Sequence, residues 1–389
     1  MSGLDLRPVR AFLGDEHRAF GEAIGTFAGT LRARRAPDDD AGARHEAREL
    51  LGALGGGGWL APIARRDWRA CCIAREQIAA ASPLADAVFA LQALGTSPLL
   101  LTDSPMRERW LGPAIAGRAM AAFAMTERDA GSDLSAIATT AQLDGAHYVL
   151  NGAKTLISNA GIADFYVVFA STNPNAGGKG LSAFVVPSDT PGLRFLRPLV
   201  LSSPHPLGEI EFADCRVPAS HRLGEEGKGL SLGLKTLDRL RATVGAAACG
   251  MAARALDEAL AHARARRQFG KPLAEFQLVQ EKLARMATEL VAARLLVYRA
   301  AWEADQGADR VTLEAAMAKS WATEAAQRIV DDAVQILGGA GVLASHPVDR
   351  LYRSVRALRI YEGATEIQHL VIAGQLLAAA ATPSEDARA

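Results

Sequence analysis

Apolar residues recur at three- and four-residue spacing through the first 120 positions, interrupted by glycine and proline. EHRAFGEAIGTFAGTLRA (16–33) and REQIAAASPLADAVFALQAL (75–94) predict helices on this pattern. LGGGGWLAP (54–62), lying between them, reads as a flexible loop. Near residue 123 the texture changes. IATTAQL, AHYVL and AKTLISN predict three short strands, turned at Asp144-Gly145 and Asn151-Gly152, dipeptides that favour hairpins because they accept positive φ. ADFYVVFAST, GLSAFVVPS and GEIEFADCRVP carry β character to about residue 220, and strands following one another without helices predict an antiparallel sheet. GEEGKGLSLGL (224–234) returns the chain to helix. Phe276, Val279, Leu283, Met286, Leu290, Ala293 and Val297 then alternate steps of three and four, one apolar face that predicts the core of a bundle. Helix continues to residue 337, breaks at GGAG and resumes, and the tail ATPSEDARA (381–389) is expected to fray. The expected class is α+β: an N-terminal α-helical domain (1–121), a central antiparallel β-domain (122–227) and a C-terminal α-helical domain (228–389).

Composition narrows the function classes. Hydrophobic residues at 49% and charged residues at 22% fit a globular chain of 389 residues with room for a large core. Lys+Arg and Asp+Glu balance at 43 each, which removes the basic surplus that nucleic acid or an anionic membrane would require. No run of about 18 apolar residues is present to span a bilayer, and MSGLDLRPVRAF lacks the apolar centre of a secretory signal. Cys71, Cys72, Cys215 and Cys249 form no CxxC pair, so neither a metal site nor a disulfide framework is expected, and a reducing cytoplasmic location fits.

Several common catalytic and nucleotide motifs are missing: there is no HExxH, GxxxxGK[ST] or strand-turn-helix GxGxxG. Four other stretches can carry chemistry. AMTERDAGSDLS (124–135) gathers hydroxyl, carboxylate and glycine, offering several N–H and O–H donors to an anion or a polar ring edge. KTLISNAG (154–161) ends a strand with another hydroxyl, and RRQFGKPLAEFQ (266–277) sets two arginines before a helix break, as a phosphate would want. QILGGAGV (335–342) allows close approach of backbone. A fifth, RIYEGATEIQ (359–368), places Glu362 between Tyr361 and Gly363, a carboxylate beside a glycine that reads as a functional bend.

These motifs, in this order and spacing, resemble the acyl-CoA dehydrogenase family over essentially the whole chain. The resemblance implies an N-terminal helical domain, a middle β-domain and a C-terminal four-helix-type bundle, with FAD and an acyl-CoA thioester bound and a homotetrameric assembly. It implies that Phe123, Met125, Thr126, Gly131 and Ser132 run along the flavin, Thr126 near the pyrimidine edge and Ser132 near both the pyrophosphate and the thioester. Leu156, Ile157 and Ser158 would flank the isoalloxazine, with the Ser158 hydroxyl near N5. Arg266, Gln268, Phe269 and Gln277, with Gln335, Gly338 and Gly339 of a neighbouring subunit, would hold the diphosphate and adenosine, and Ala364 and Glu366 also fall at cofactor positions. Asp238, Arg241, Tyr361 and Gly363 fall at substrate positions, and Glu362 at the catalytic base.

The implied reaction removes the α-proton of a thioester to a carboxylate while the β-hydride leaves for the flavin on the opposite face. Negative charge then develops on the thioester oxygen, for which the resemblance supplies the base's own N–H and a ribityl hydroxyl. Burial beside Ile360 and Tyr361 is expected to raise the carboxylate's basicity. Relatives that carry the base on the LDRLR helix have it where this chain has Leu240, which cannot serve. The chain departs from the pattern at Leu156 (usually Trp), Ser158 (usually Thr), Arg128 (usually Pro), Ala364 (usually Thr) and in YRSVRALR, which lacks the usual Asp. The helix expected to face the acyl group, SPLADAVFALQALG, holds Asp86 and no cation, which disfavours a substrate with a distal carboxylate. The expected acceptor is an electron-transfer flavoprotein. A flavin oxidase, a dehydrogenase of carrier-protein thioesters and a non-catalytic flavin-fold binding protein are the alternatives on the same fold.

Overall fold

The computed structural model describes residues 4–34 and 36–381; the stretch expected to fray lies outside these apart from Ala381. Six helices open the chain: α1 (Asp15–Arg32), α2 (Asp40–Gly56), α3 (Ala61–Arg65), α4 (Trp68–Ala81), α5 (Pro83–Leu100) and α6 (Pro105–Ile115). Eight strands follow: β1 (Ala121–Ala124), β2 (Thr140–Asp144), β3 (His147–Ser158), β4 (Phe165–Ser171), β5 (Leu181–Pro187), β6 (Leu193–Pro198), β7 (Leu207–Pro218) and β8 (Arg222–Leu223). The chain then forms α7 (Gly229–Ala265), a two-stranded ribbon of β9 (Arg267–Gln268) and β10 (Lys271–Pro272), and α8 (Gln277–Asp305), α9 (Thr312–Leu337), α10 (Pro347–Leu358) and α11 (Thr365–Ala381). Helices, then a sheet, then helices is the expected order.

Two compact units emerge from this order. One comprises residues 27–67 and 82–237; the other comprises the chain up to residue 26, residues 68–81 and the chain from 238 onward.

In the first unit the strands run β6-β7-β3-β2-β4-β5-β8, with β1 beside β4. Pairing is antiparallel as expected, except that β1 and β2 each run parallel to β4. β4 and β5 are buried along both faces, and their alternate residues feed two cores. Tyr166, Val168, Ala170, Phe184 and Val186 enter one, and Phe165, Val167, Phe169, Ala183 and Val185 the other. The β2–β3 hairpin turns at Gly145, with Asp144 paired to His147. The second expected turn is not a turn: β3 runs unbroken through Asn151-Gly152. Asn151 and Asp214 exchange hydrogen bonds of 2.8 and 3.2 Å across to β7, and the register shifts there. The positive-φ tolerance of the dipeptide serves a bulge, with Gly152 at φ 145°.

Two helical expectations also change. The segment 75–94 is two helices, because Pro83 opens α5 and the Ser82 hydroxyl accepts the Ala85 N–H as a cap. The tetraglycine is no flexible loop: Gly55 and Gly56 finish α2, and a Cβ on Gly55 would fall 2.3 Å from Ala116 backbone. β1, which leads into the first candidate stretch, is fixed by amides. Gln92 donates to the Ala114 and Ala119 carbonyls and accepts from Ala121 N–H, while Asn159 donates to the Ala121 carbonyl.

In the second unit, α8 keeps its predicted apolar face. Met286, Leu290, Ala293 and Val297 are buried, whereas Phe276, Val279 and Leu283 are only half-buried and Leu278 is 81% exposed. Glu76 of α4 lies wholly buried, taking Arg294 Nε on one oxygen and the Tyr298 hydroxyl (2.7 Å) on the other; Arg294 also donates to the Asp5 carbonyl. Such a pair holds geometry more than it adds net stability, because both charges leave water to make it. Breaking one side strands the other. Arg294→Met is expected to lower unfolding free energy by about 3–5 kcal/mol, and Arg294→Met with Glu76→Gln by clearly less, in urea denaturation.

Candidate active site

The bend anticipated at Glu362 lies between α10 and α11, in the second unit. Glu362 has φ 57° and Gly363 φ 97°. Glycine is required at 363, where a Cβ would fall 2.3 Å from Gln368 Nε2. Holding glutamate in the left-handed region costs about 1–2 kcal/mol, so something must fix it. Arg241 Nε donates to the Glu362 carbonyl (3.2 Å), and Lys319 Nζ (2.8 Å) and Gln368 Nε2 (3.0 Å) donate to the Gly363 carbonyl. Glu324 takes Arg359 Nε and the Thr365 hydroxyl at 2.7 Å each, tying the two shoulders of the bend. Burial opposes the charge on Glu324, yet Arg359 and Thr365 hold its carboxyl below the ordinary value. Hydrogen bonds to charged groups are worth about 1.5–3 kcal/mol each, so those from Arg241 and Lys319 alone exceed the backbone strain.

Other expected residues fall around this bend. Arg241 is buried and binds Asp238 at 2.6 Å, and Asp238 accepts the Thr312 hydroxyl at 2.7 Å. Ile360 and Tyr361, expected to bury the carboxylate, are themselves 57% and 38% exposed, while Glu362 is half-buried with its Oε2 out of solvent. What surrounds the bend is cationic. Lys319 is wholly buried in α9, and burial pushes its amine down to about 8, with Glu362 the leading opposing influence. Ala364 is half-buried and Glu366 exposed.

In the first unit the expected flavin-contact residues lie on neighbouring backbone. Thr155 N–H donates to the Thr126 carbonyl (3.0 Å), joining the 124–135 stretch to β3. Leu156 is 55% exposed at φ 55°, a strained conformation for a branched apolar residue. Ile157 is buried, Phe123, Thr126 and Ser158 are half-buried, Met125 is buried, and Gly131 and Ser132 are exposed. The stretch is knitted by Glu127, whose oxygens accept the N–H groups of Ala138 (2.7 Å) and Thr139 (3.0 Å) and Lys154 Nζ (2.7 Å). Lys154 also donates to the Met125 carbonyl at 3.1 Å. Burial pushes Lys154 down to about 8 against the pull of Glu127, while Glu127, though burial opposes its charge, is held below its ordinary value by Lys154.

Arg266, Gln268, Phe269 and Gln277 are exposed around the β9–β10 ribbon, and Gln335, Gly338 and Gly339 are exposed at the end of α9. Phe269, at φ 50°, is in the left-handed region, as is Gly338 at φ 59°. Six described non-glycine residues have positive φ, and Leu156, Phe269 and Glu362 are among them, so backbone strain concentrates where site residues were expected.

The donors of each unit, taken by itself, suit part of a flavin dinucleotide. Arg266 has no carboxylate partner among the described residues and is available to a diphosphate. Leu156 offers an uncovered apolar surface that a flavin ring would fit, and Thr126 and Ser158 carry half-buried hydroxyls suited to a polar ring edge. Sequence reasoning missed Lys319, Glu324, Gln368, Glu127, Lys154 and His205, whose Nε2 lies 2.7 Å from Ser158 Oγ. A lysine inside an alanine-rich run, as in AAMAKSWATEAA, was the available signal for Lys319.

Residues 122–215 match the family described as "Acyl-CoA dehydrogenase, middle domain", and residues 227–377 match "Acyl-CoA dehydrogenase, C-terminal domain". A 3-(aryl)acrylate reductase of Clostridium sporogenes is 44% identical over 315 residues, 80% of this chain and 83% of the relative. Butyryl-CoA dehydrogenase from Megasphaera elsdenii superposes with a TM-score of 0.88 at 33% identity, covering 94% of this chain and 99% of its own. PigA, solved with FAD and proline, superposes with a TM-score of 0.85 at 30% identity over 94% and 98%.

The amine of Lys319 titrates lower in the folded protein than in the unfolded chain, where it keeps the ordinary 10.5. Between about 8 and 10.5 the unfolded state therefore binds more protons, so this group adds stability as pH rises and withdraws it as pH falls through 8. The difference in urea midpoint between wild type and Lys319→Met is expected to move in favour of wild type from pH 8 to pH 10.5. A difference that stays constant would contradict the placement of the amine.

Proposed function

The chain belongs to the acyl-CoA dehydrogenase family of oxidoreductases, and we propose that it catalyses FAD-dependent α,β-dehydrogenation of an acyl-CoA thioester to the trans-2-enoyl-CoA. The observation that carries this reading is the fixed left-handed bend presenting Glu362, braced by Arg241, Lys319 and Gln368. FAD, when bound, accepts the β-hydride at N5.

Glu362 takes the α-proton. Its N–H, turned by the bend, donates to the thioester oxygen as charge develops there. Leu156 would cover the flavin ring, Thr126 and Ser158 would meet its polar edge, and Gly131 and Ser132 would meet the pyrophosphate. Arg266, Gln268, Phe269 and Gln277, with Gln335, Gly338 and Gly339 of a neighbouring copy, would hold the remainder of the dinucleotide. Asp238 and Arg241 act on the substrate side through their hold on the bend. Asp86 is buried in the first turn of α5, where a carboxylate suits the helix end, and no cation in that helix awaits a distal carboxylate. A mostly apolar acyl group follows.

Electron-transfer flavoprotein is the proposed acceptor and a homotetramer the proposed assembly. Exposed Phe269, Leu278, Leu370 and Leu377 support association with further copies, since isolated chains seldom leave so much apolar surface in water. Among the described residues no helix is long and apolar enough to cross a membrane. The reductase name of the 44% identical relative favours one further reading, the same chemistry run backwards, with Glu362 returning a proton to the α-carbon.

Anaerobic titration with a panel of acyl-CoAs should bleach the flavin with one chain class. Glu362→Gln should bind that ligand yet reduce flavin about 10²–10⁴-fold more slowly. Flavin that no free acyl-CoA reduces would instead point to a carrier-bound thioester or to a non-catalytic protein.

A further inference from the structure

Ser158 closes β3 in register with Leu207 of β7, and His205 stands two residues before that partner. The 2.7 Å contact between His205 Nε2 and Ser158 Oγ is the only hydrogen bond of the serine hydroxyl among the described residues. Asp40 and Arg44 of α2 are the charged groups that bear on the ring. Arg44 is already committed, to Asp40 (2.6 Å) and to the carbonyls of Ala160 (2.5 Å) and Leu207 (2.6 Å). Burial first, and Arg44 second, push the imidazole down to about 4, so it is neutral at neutral pH. A neutral imidazole has one donor and one acceptor nitrogen.

We infer that His205 is a positioning residue that accepts a hydrogen bond from the Ser158 hydroxyl, letting Ser158 Oγ accept a hydrogen bond from a reduced flavin as well as donate one to an oxidised flavin. The inference rests on the proposed placement of FAD beside Ser158. Flavin N5 accepts a hydrogen bond when oxidised and donates one when reduced. Toward the oxidised ring, the serine O–H donates and needs no help. Toward the reduced ring, Oγ accepts, and its own proton needs an acceptor. Nε2 of His205 is in place to be that acceptor. Without the ring nitrogen the hydroxyl proton loses its partner in the reduced state alone, which shifts the flavin toward oxidation.

The test uses holoenzyme of wild type, His205→Leu, His205→Gln, Ser158→Ala and the Leu/Ala double variant, with His205→Ala as a second truncation should Leu prevent folding. The flavin midpoint potential is measured by anaerobic equilibration with a reference dye, and the FAD dissociation constant on reconstituted apoprotein. Truncation at 205 is expected to shift the oxidised-to-reduced equilibrium about tenfold, a midpoint roughly 30 mV lower, with affinity for oxidised FAD unchanged. Gln, whose carboxamide oxygen accepts, should recover most of the potential, and truncation should add nothing once Ser158 is Ala. An unchanged potential, or the same shift without the serine hydroxyl, would overturn the inference. Wild-type protein that neither carries nor binds FAD would sink the functional reading beneath it.

Discussion

The Gly363 carbonyl, held by a buried lysine and a buried glutamine, is the contact on which the geometry of the proposed catalytic carboxylate depends. A glutamate in the left-handed region relaxes toward ordinary helix unless its peptide neighbours are fixed. Lys319 and Gln368 fix one carbonyl, Arg241 fixes the preceding one, and Glu324 ties the helix ends on either side. The strain is local and the bracing comes from α7, α9 and α11. A base held this way needs little reorganisation when substrate arrives.

The first unit repeats the device. Lys154, buried and likewise pushed down to about 8, donates to the Met125 carbonyl just before Thr126, and Glu127 gathers the N–H groups of the loop beyond. In both units a buried lysine spends its charge on a main-chain carbonyl next to a candidate site residue. An amine inside protein is costly unless its donors are met, so these lysines tolerate few alternative backbone geometries. That intolerance is what makes them useful as fasteners.

Much of the architecture was legible because period is physical. Alternate residues of β4 and β5 had to find two cores, and the α8 stripe had to find neighbours. Asn151-Gly152 misled because positive-φ tolerance serves a bulge as readily as a turn, and only the distant Asp214 decides between them. The bend at Glu362-Gly363 was legible through its glycine and flanking motif. Lys319, Gln368 and His205 were not, since their roles exist only across folded distance; His205 and Ser158 lie 47 residues apart.

The most direct measurement separates proton abstraction from hydride transfer. Phenylacetyl-CoA has acidic α-protons and no β-hydride to lose, so exchange of its α-protons in D₂O, followed by NMR, reports the base alone. The wild-type enzyme is expected to exchange these protons, and Glu362→Gln to lose the exchange. Exchange that survives the substitution would contradict the assignment of Glu362.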